Sequence, residues 1–190
     1  MPAWGWAVLV VVIGAGVGLA LWRSSRGRRS MALRERFGPE YERLVRDHGD
    51  ERAAEAELVA RQERRSTLEI RPLSGAARRD YAERWERTQG MFVDSPQLAV
   101  AEADVLVQAV MRERGYPVAD TEQRMADVSV DHPDVMDHFR LATVIAAEAR
   151  EERATTERLR QAMVHFRALF QRLLTDESAP STSSPPSRSA

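Results

Sequence analysis

Residues 156–174 read TERLRQAMVHFRALFQRLL, and this stretch decides the fold class. Leu159, Met163, Phe166, Phe170 and Leu173 recur at spacings of four, three, four and three, the repeat of one helical face. No other segment is as periodic. Thr155 stands where an N-cap belongs. The stripe covers fewer than three heptads, too few for a coiled coil.

Working outward from this helix, the same grammar recurs with punctuation between the segments. Pro39 suits a first helical turn, and Tyr41, Leu44 and Val45 follow it up to Gly49. Asp50 is placed to cap a charged, alanine-rich helix ending near Arg65, whose larger apolar residues are Leu58 and Val59. Thr67–Leu73 alternates apolar and charged residues and contains Pro72. With no partner strand in the sequence, it reads as an extended connector. Ser74 caps a helix bearing Ala77, Tyr81, Trp85, Thr88 and Phe92 on one side. Asp94-Ser95-Pro96 stops and restarts the chain, and Val100, Ala103, Leu106, Val107, Val110 and Met111 then form a broad stripe up to Gly115. Asp120 caps a short helix with Met125 and Val128. A further helix, starting near Asp131-His132-Pro133 with Asp131 as its cap, carries Phe139, Leu141, Ala142 and Ile145. Arg150 to Arg153 make a charged turn. The predicted class is all-α.

The N-terminus has a different character. Trp4–Trp22, WGWAVLVVVIGAGVGLALW, is 19 residues without a charge. As a helix it spans about 28 Å, close to the hydrocarbon thickness of a bilayer. Trp4, Trp6 and Trp22 sit at its ends, as interfacial indoles do. Arg23, Arg26, Arg28 and Arg29 follow at once, whereas the three residues before Trp4 carry no charged side chain. The positive-inside rule therefore predicts a single-pass membrane protein, N-out, with its C-terminal part in the cytoplasm and these arginines against lipid headgroups. The competing reading is a cleaved signal peptide, for which Gly18-Leu19-Ala20 offers a small-x-small site. The missing basic n-region and the length of the apolar run argue against it. Gly14 and Gly18 form a GxxxG pair that would let two such helices approach and dimerise.

The expected organisation is a short tail (1–3), a transmembrane helix (4–22), a basic juxtamembrane linker (23–30), an α-helical domain (31–175) and a disordered Pro/Ser/Thr-rich tail (176–190). The domain of 31–175 is acidic, with 23 arginines against 27 Asp and Glu. Its arginines alternate with carboxylates, as in Arg34-Glu35-Arg36 and Arg112-Glu113-Arg114. That pattern reads as a solvated, self-paired surface and not as a nucleic-acid face.

Composition removes several chemistries. The chain has no cysteine, which excludes disulfides, thiolate metal sites and a cysteine nucleophile. Every one of its 28 basic residues is arginine, which excludes a P-loop lysine, a Schiff-base lysine and a Ser-Lys dyad. No GxSxG, HExxH or dinucleotide fingerprint occurs in the helical domain, and Ser129 near His132 lacks a nucleophile elbow. The densest polar cluster is Asp131 to His138. On a continuous helix Asp134 and His138 would be i,i+4 neighbours, a weak metal or acid–base candidate with His165 as a further member. The structural alternative makes Asp131 a cap and Asp134 a dipole partner. His165 reads as a half-buried histidine hydrogen-bonded to a neighbouring helix, and His48 as a cationic helix end.

Seven runs carry a resemblance: LRERFGPEYERLV (33–45), ERRSTLEIRPLS (63–74), DYAERW (80–85), FVDSP (92–96), VMRERGYPV (110–118), VSVDHPDV (128–135) and RLRQAMVHFRALF (158–170). They resemble a family of bacterial helical proteins of unknown function, frequent in actinobacteria, that commonly carry an N-terminal membrane helix. The resemblance implies a helical soluble part and supplies no activity, cofactor or catalytic residue. Some members are described as secreted, which implies the exported alternative.

The expectation is a membrane-anchored helical module that binds a protein partner, without catalysis and with no cofactor. The alternatives are an exported helical ligand-binding domain released by signal cleavage and a metal-binding or enzymatic helical domain.

Overall fold

Helices start where the capping residues stand. In the computed structural model, which describes residues 27–175, the Asp50 carboxylate accepts the Ala53 N–H at 3.2 Å. Ser74 Oγ accepts that of Ala77 at 3.1 Å, Asp120 that of Gln123 at 2.6 Å and Thr155 that of Arg158 at 3.3 Å. Each bond satisfies one of the N–H groups that a helix start leaves without a partner. Residues 27–37 are helical (α1), followed by α2 (Pro39–His48), α3 (Glu51–Ser66), α4 (Gly75–Met91), α5 (Pro96–Arg114), α6 (Thr121–Asp131), a 3-10 turn (Pro133–Val135), α7 (Met136–Arg150) and α8 (Thr156–Thr175). No strand occurs among the described residues, so the chain there is all-α. Thr67–Leu73 is a connector with neither helix nor strand, leaving α3 through a turn at Thr67 and Leu68.

The expected span Trp4–Trp22, with Gly14, Gly18, Arg23 and Arg26, lies outside the described residues, as does the tail 176–190. Among the described residues no helix is long and apolar enough to cross a membrane. The helix of residues 27–37 already includes Arg28 and Arg29, which were expected in a linker. Its two buried residues, Leu33 and Phe37, are one turn apart, too short a stripe to stand out in the sequence.

Two compact units divide within α3, one ending at Val59 and the other starting at Ala60. In the first, Leu33, Phe37, Tyr41, Leu44, Ala54 and Leu58 are buried, and the Tyr41 hydroxyl donates to Glu51 at 2.7 Å. Gly38, at φ 48°, separates α1 from α2.

The second unit is built on α5, which packs against α4, α7 and α8, while α7 and α8 pack along each other and α6 packs on α7. Val100, Ala103, Leu106, Val107, Val110 and Met111 of α5 are all buried, as the stripe requires. All five stripe residues of α8 are buried too, joined by Ala162 and Leu169. Trp85 of α4 stacks on Phe170 of α8.

Four expectations need correction. The helix expected from Asp131-His132-Pro133 is two elements: Asp131 ends α6, Pro133 opens the 3-10 turn, and α7 starts at Met136 with no side-chain cap. Asp131 caps nothing, because Tyr116 and Arg65 take its carboxylate. Leu141 is 44% exposed, since the buried face of α7 runs through Phe139, Ala142, Ile145 and Ala146. Arg114 is fully buried and belongs to no solvated surface. Its Nη1 donates to the Leu173 carbonyl of α8 at 2.8 Å.

Candidate functional site

Two polar centres are built into the second unit. The first joins the last turns of α3 to α6. Arg65 Nε and the Tyr116 hydroxyl both donate to Asp131 Oδ2 at 2.5 Å. Arg61 donates to Ser129 Oγ at 3.2 Å, and Ser129 donates onward to the Ala126 carbonyl at 2.6 Å. Arg64 lies 3.9 Å from the buried carboxylate of Asp127, which also accepts from Gln123 at 2.8 Å. Burial, aided by the charge of Asp131, holds the Tyr116 phenol protonated far above its usual range. Burial likewise raises the Asp127 carboxyl. These bonds brace the last turns of α3 against α6. Ser129 is part of that brace, its hydroxyl engaged on both sides.

The second centre is a histidine pair between α7 and α8. His138 Nδ1 and His165 Nδ1 are 2.8 Å apart, with ring centroids at 5.1 Å. Both side chains are half-buried. This is the neighbour-helix hydrogen bond expected for His165, and its partner is His138. Each histidine directly precedes a buried phenylalanine, Phe139 and Phe166, so both flank the same packed seam. That shared offset is the sequence signal that could have paired them.

Asp134 does not join this pair. It sits exposed in the 3-10 turn and faces Arg172 Nε at 3.2 Å. The i,i+4 relation to His138 fails because the 3-10 turn and α7 do not form one continuous helix. His132 is buried at the junction of α6 and the 3-10 turn, and His48 is the last residue of α2 and exposed. Arg28 and Arg29 are exposed. Trp4, Trp6, Trp22, Arg23 and Arg26 and the pair Gly14 and Gly18 lie outside the described residues.

The histidine geometry suits a shared proton better than a metal ion. Two nitrogens bound at about 2.0 Å to a tetrahedral ion stand roughly 3.3 Å apart, wider than this pair. No group of three or more His, Asp or Glu able to hold a metal occurs among the described residues. Arg158 is close enough to disfavour added positive charge at His165. Its guanidinium is held by Glu148 of α7, with bonds of 2.9 and 3.1 Å, and that hydrogen bonding keeps the Glu148 carboxyl below its usual range.

An open groove of about 470 Å³ lies where α5 and α8 begin, lined by Asp94, Ser95, Leu98, Thr156 and Leu159 among others. Neither histidine of the pair lines it.

Comparison with protein-family models, with curated proteins and with solved structures found no match.

Proposed function

We propose that this is a single-pass membrane-anchored protein whose helical domain acts as a non-catalytic interaction module on the cytoplasmic side. The observation that carries the proposal is the uncharged run Trp4–Trp22 followed directly by Arg23, Arg26, Arg28 and Arg29. The resemblance to bacterial helical proteins with an N-terminal membrane helix supports the same reading.

The interaction role draws on the surface. Val93 is 84% exposed, and Leu98 and Val105 of α5, Leu141 and Val144 of α7 and Val164 of α8 also face outward. Leu98 and Val105 are two turns apart, and Leu141 and Val144 one turn, so each pair lies on one helix face. Such pairs offer apolar anchors to a protein partner. Buried Arg114, Asp127 and Ser129 are engaged in contacts within the domain, and the exposed apolar residues are what a partner can reach. Gly14 and Gly18 supply a face for self-association in the membrane.

Reporter fusion after Ala190 tests the topology. A reporter active only in the cytoplasm is expected to give signal, and the protein is expected to fractionate with membranes. Signal solely from a reporter that requires export, with the protein in the soluble fraction, would overturn the proposal in favour of an exported domain.

A further inference from the structure

We propose that His138 and His165 form a proton-counting clasp between α7 and α8, one that accepts a single proton, rejects a second, and so loosens this helix pair in acid. The geometry requires a definite division of protons. At 2.8 Å one Nδ1 must donate and the other accept. In the neutral pair the donor ring carries its proton on Nδ1 and the acceptor ring carries its own on Nε2. A first added proton goes to Nε2 of the donor ring. The ring becomes an imidazolium, and its Nδ1–H still points at a lone pair, now in a charge-assisted bond. A second proton has only the acceptor's Nδ1 left. Two N–H groups would then face each other on two cations, so the rings must part.

The surroundings reinforce the rejection. Burial pushes the His165 imidazole down, with His138 and Arg158 adding to the effect. On α8, Arg158 is tied to Glu148 of α7, and Gln161 accepts from it at 3.4 Å. Before His138 in sequence, Asp134 of the 3-10 turn is paired with Arg172 and the adjacent Asp137 with Arg140, both at 3.2 Å. Asp104 of α5, which packs on both helices, is taken by Arg150 at 2.6 Å. On α6, Asp127 and Asp131 face Arg64 and Arg65. Each of these carboxylates is thus paired with an arginine, and none of them bonds to either ring.

The direction of the pH effect follows from proton linkage. Histidines of the unfolded chain titrate near pH 6.5, about their model value. The folded pair takes its second proton only at lower pH, so below about 6.5 the unfolded chain binds more protons. Through this second proton, stability falls as the pH drops from about 6.5 toward the folded midpoint, whereas the first proton, held in the charge-assisted bond, acts in the opposite direction around and above pH 6.5.

The test compares melting of the full-length chain in detergent with that of His138→Gln and His165→Gln, between pH 7.5 and 5. Glutamine keeps a hydrogen-bonding group and cannot be charged. His48 and His132 remain in every protein, so their titration cancels in the difference. A second protonation weakened tenfold corresponds to about 1.4 kcal/mol, or about 3 °C for a chain of this size. The wild-type Tm is expected to drop at least that much more than either variant's. Parallel curves would overturn the proposal. Should the variants fail to fold, imidazole NMR on the unsubstituted chain decides. Two protonation steps separated by about one pH unit or more are expected for the pair. Independent titration of both rings near pH 6.5 would end the proposal.

Discussion

The indole of Trp85 lies stacked on the ring of Phe170, with centroids 4.7 Å apart and planes 21° from parallel. Both residues are buried, and the contact joins α4 to the helix whose periodicity dominates the sequence. Offset stacking of this kind adds about 0.5–1.5 kcal/mol to area burial. Phe170→Ala and Trp85→Ala are each expected to cost about 3–5 kcal/mol in urea unfolding, as is Phe166→Ala. The double variant should fall short of the sum of the singles, because both remove the same contact. Trp85 Nε1 is buried without a hydrogen-bond partner. Trp85→Phe, which deletes that donor, is therefore expected to cost clearly less than Trp85→Ala.

Gly115 ends α5 at φ 101°, and a Cβ placed on it would sit 2.4 Å from the Glu69 carbonyl oxygen. The connector 67–73 crosses here, and the Arg71 N–H donates to the Arg114 carbonyl at 2.9 Å. Gly115→Ala meets both the left-handed penalty and a clash with backbone. Its expected cost exceeds about 1 kcal/mol, read from the shift in the urea midpoint.

Asp131 and Asp134 are three residues apart and differ in consequence. Removing Asp131 strands Arg65 and the Tyr116 hydroxyl, so Asp131→Ala is expected to cost about 1–3 kcal/mol. Asp134→Ala breaks an exposed pair with Arg172 and is expected to cost under about 1 kcal/mol. Chemical denaturation of the two variants side by side checks the order.

Zinc or a chelator is expected to leave the melting temperature of the wild-type chain unchanged. The histidine nitrogens are closer than two ligands of one ion, and Arg158 opposes added charge. A chelator-induced fall of several degrees, lost in His138→Gln, would contradict this.

Replacing Arg23, Arg26, Arg28 and Arg29 by neutral residues is expected to weaken the orientation of the N-terminal segment. Paired cytoplasmic and export-dependent reporters after Ala190 would then both give signal.

Much of this protein was legible from residues alone, for a local reason. Caps and periodicity are properties of neighbouring residues. Thus Asp50, Ser74, Asp120 and Thr155 marked helix starts, Gly49 and Gly115 marked ends, and the stripes of α5 and α8 named their own buried faces. The all-α class follows from these signals. What escaped was set by contacts between distant residues. Arg114 looked like part of a charged surface, and is buried where α8 brings the Leu173 carbonyl to it, 59 residues away. Asp131 looked like a cap, and is instead claimed by Arg65, 66 residues distant, and by Tyr116. His138 looked like a partner for Asp134, but α7 starts after both Pro133 and Asp134, and its packing on α8 sets His138 against His165. Spacing along one chain reports which side chains share a helix face. Only the packing of helices decides which buried charge meets which, because a buried polar group is bound wherever the fold brings it a partner.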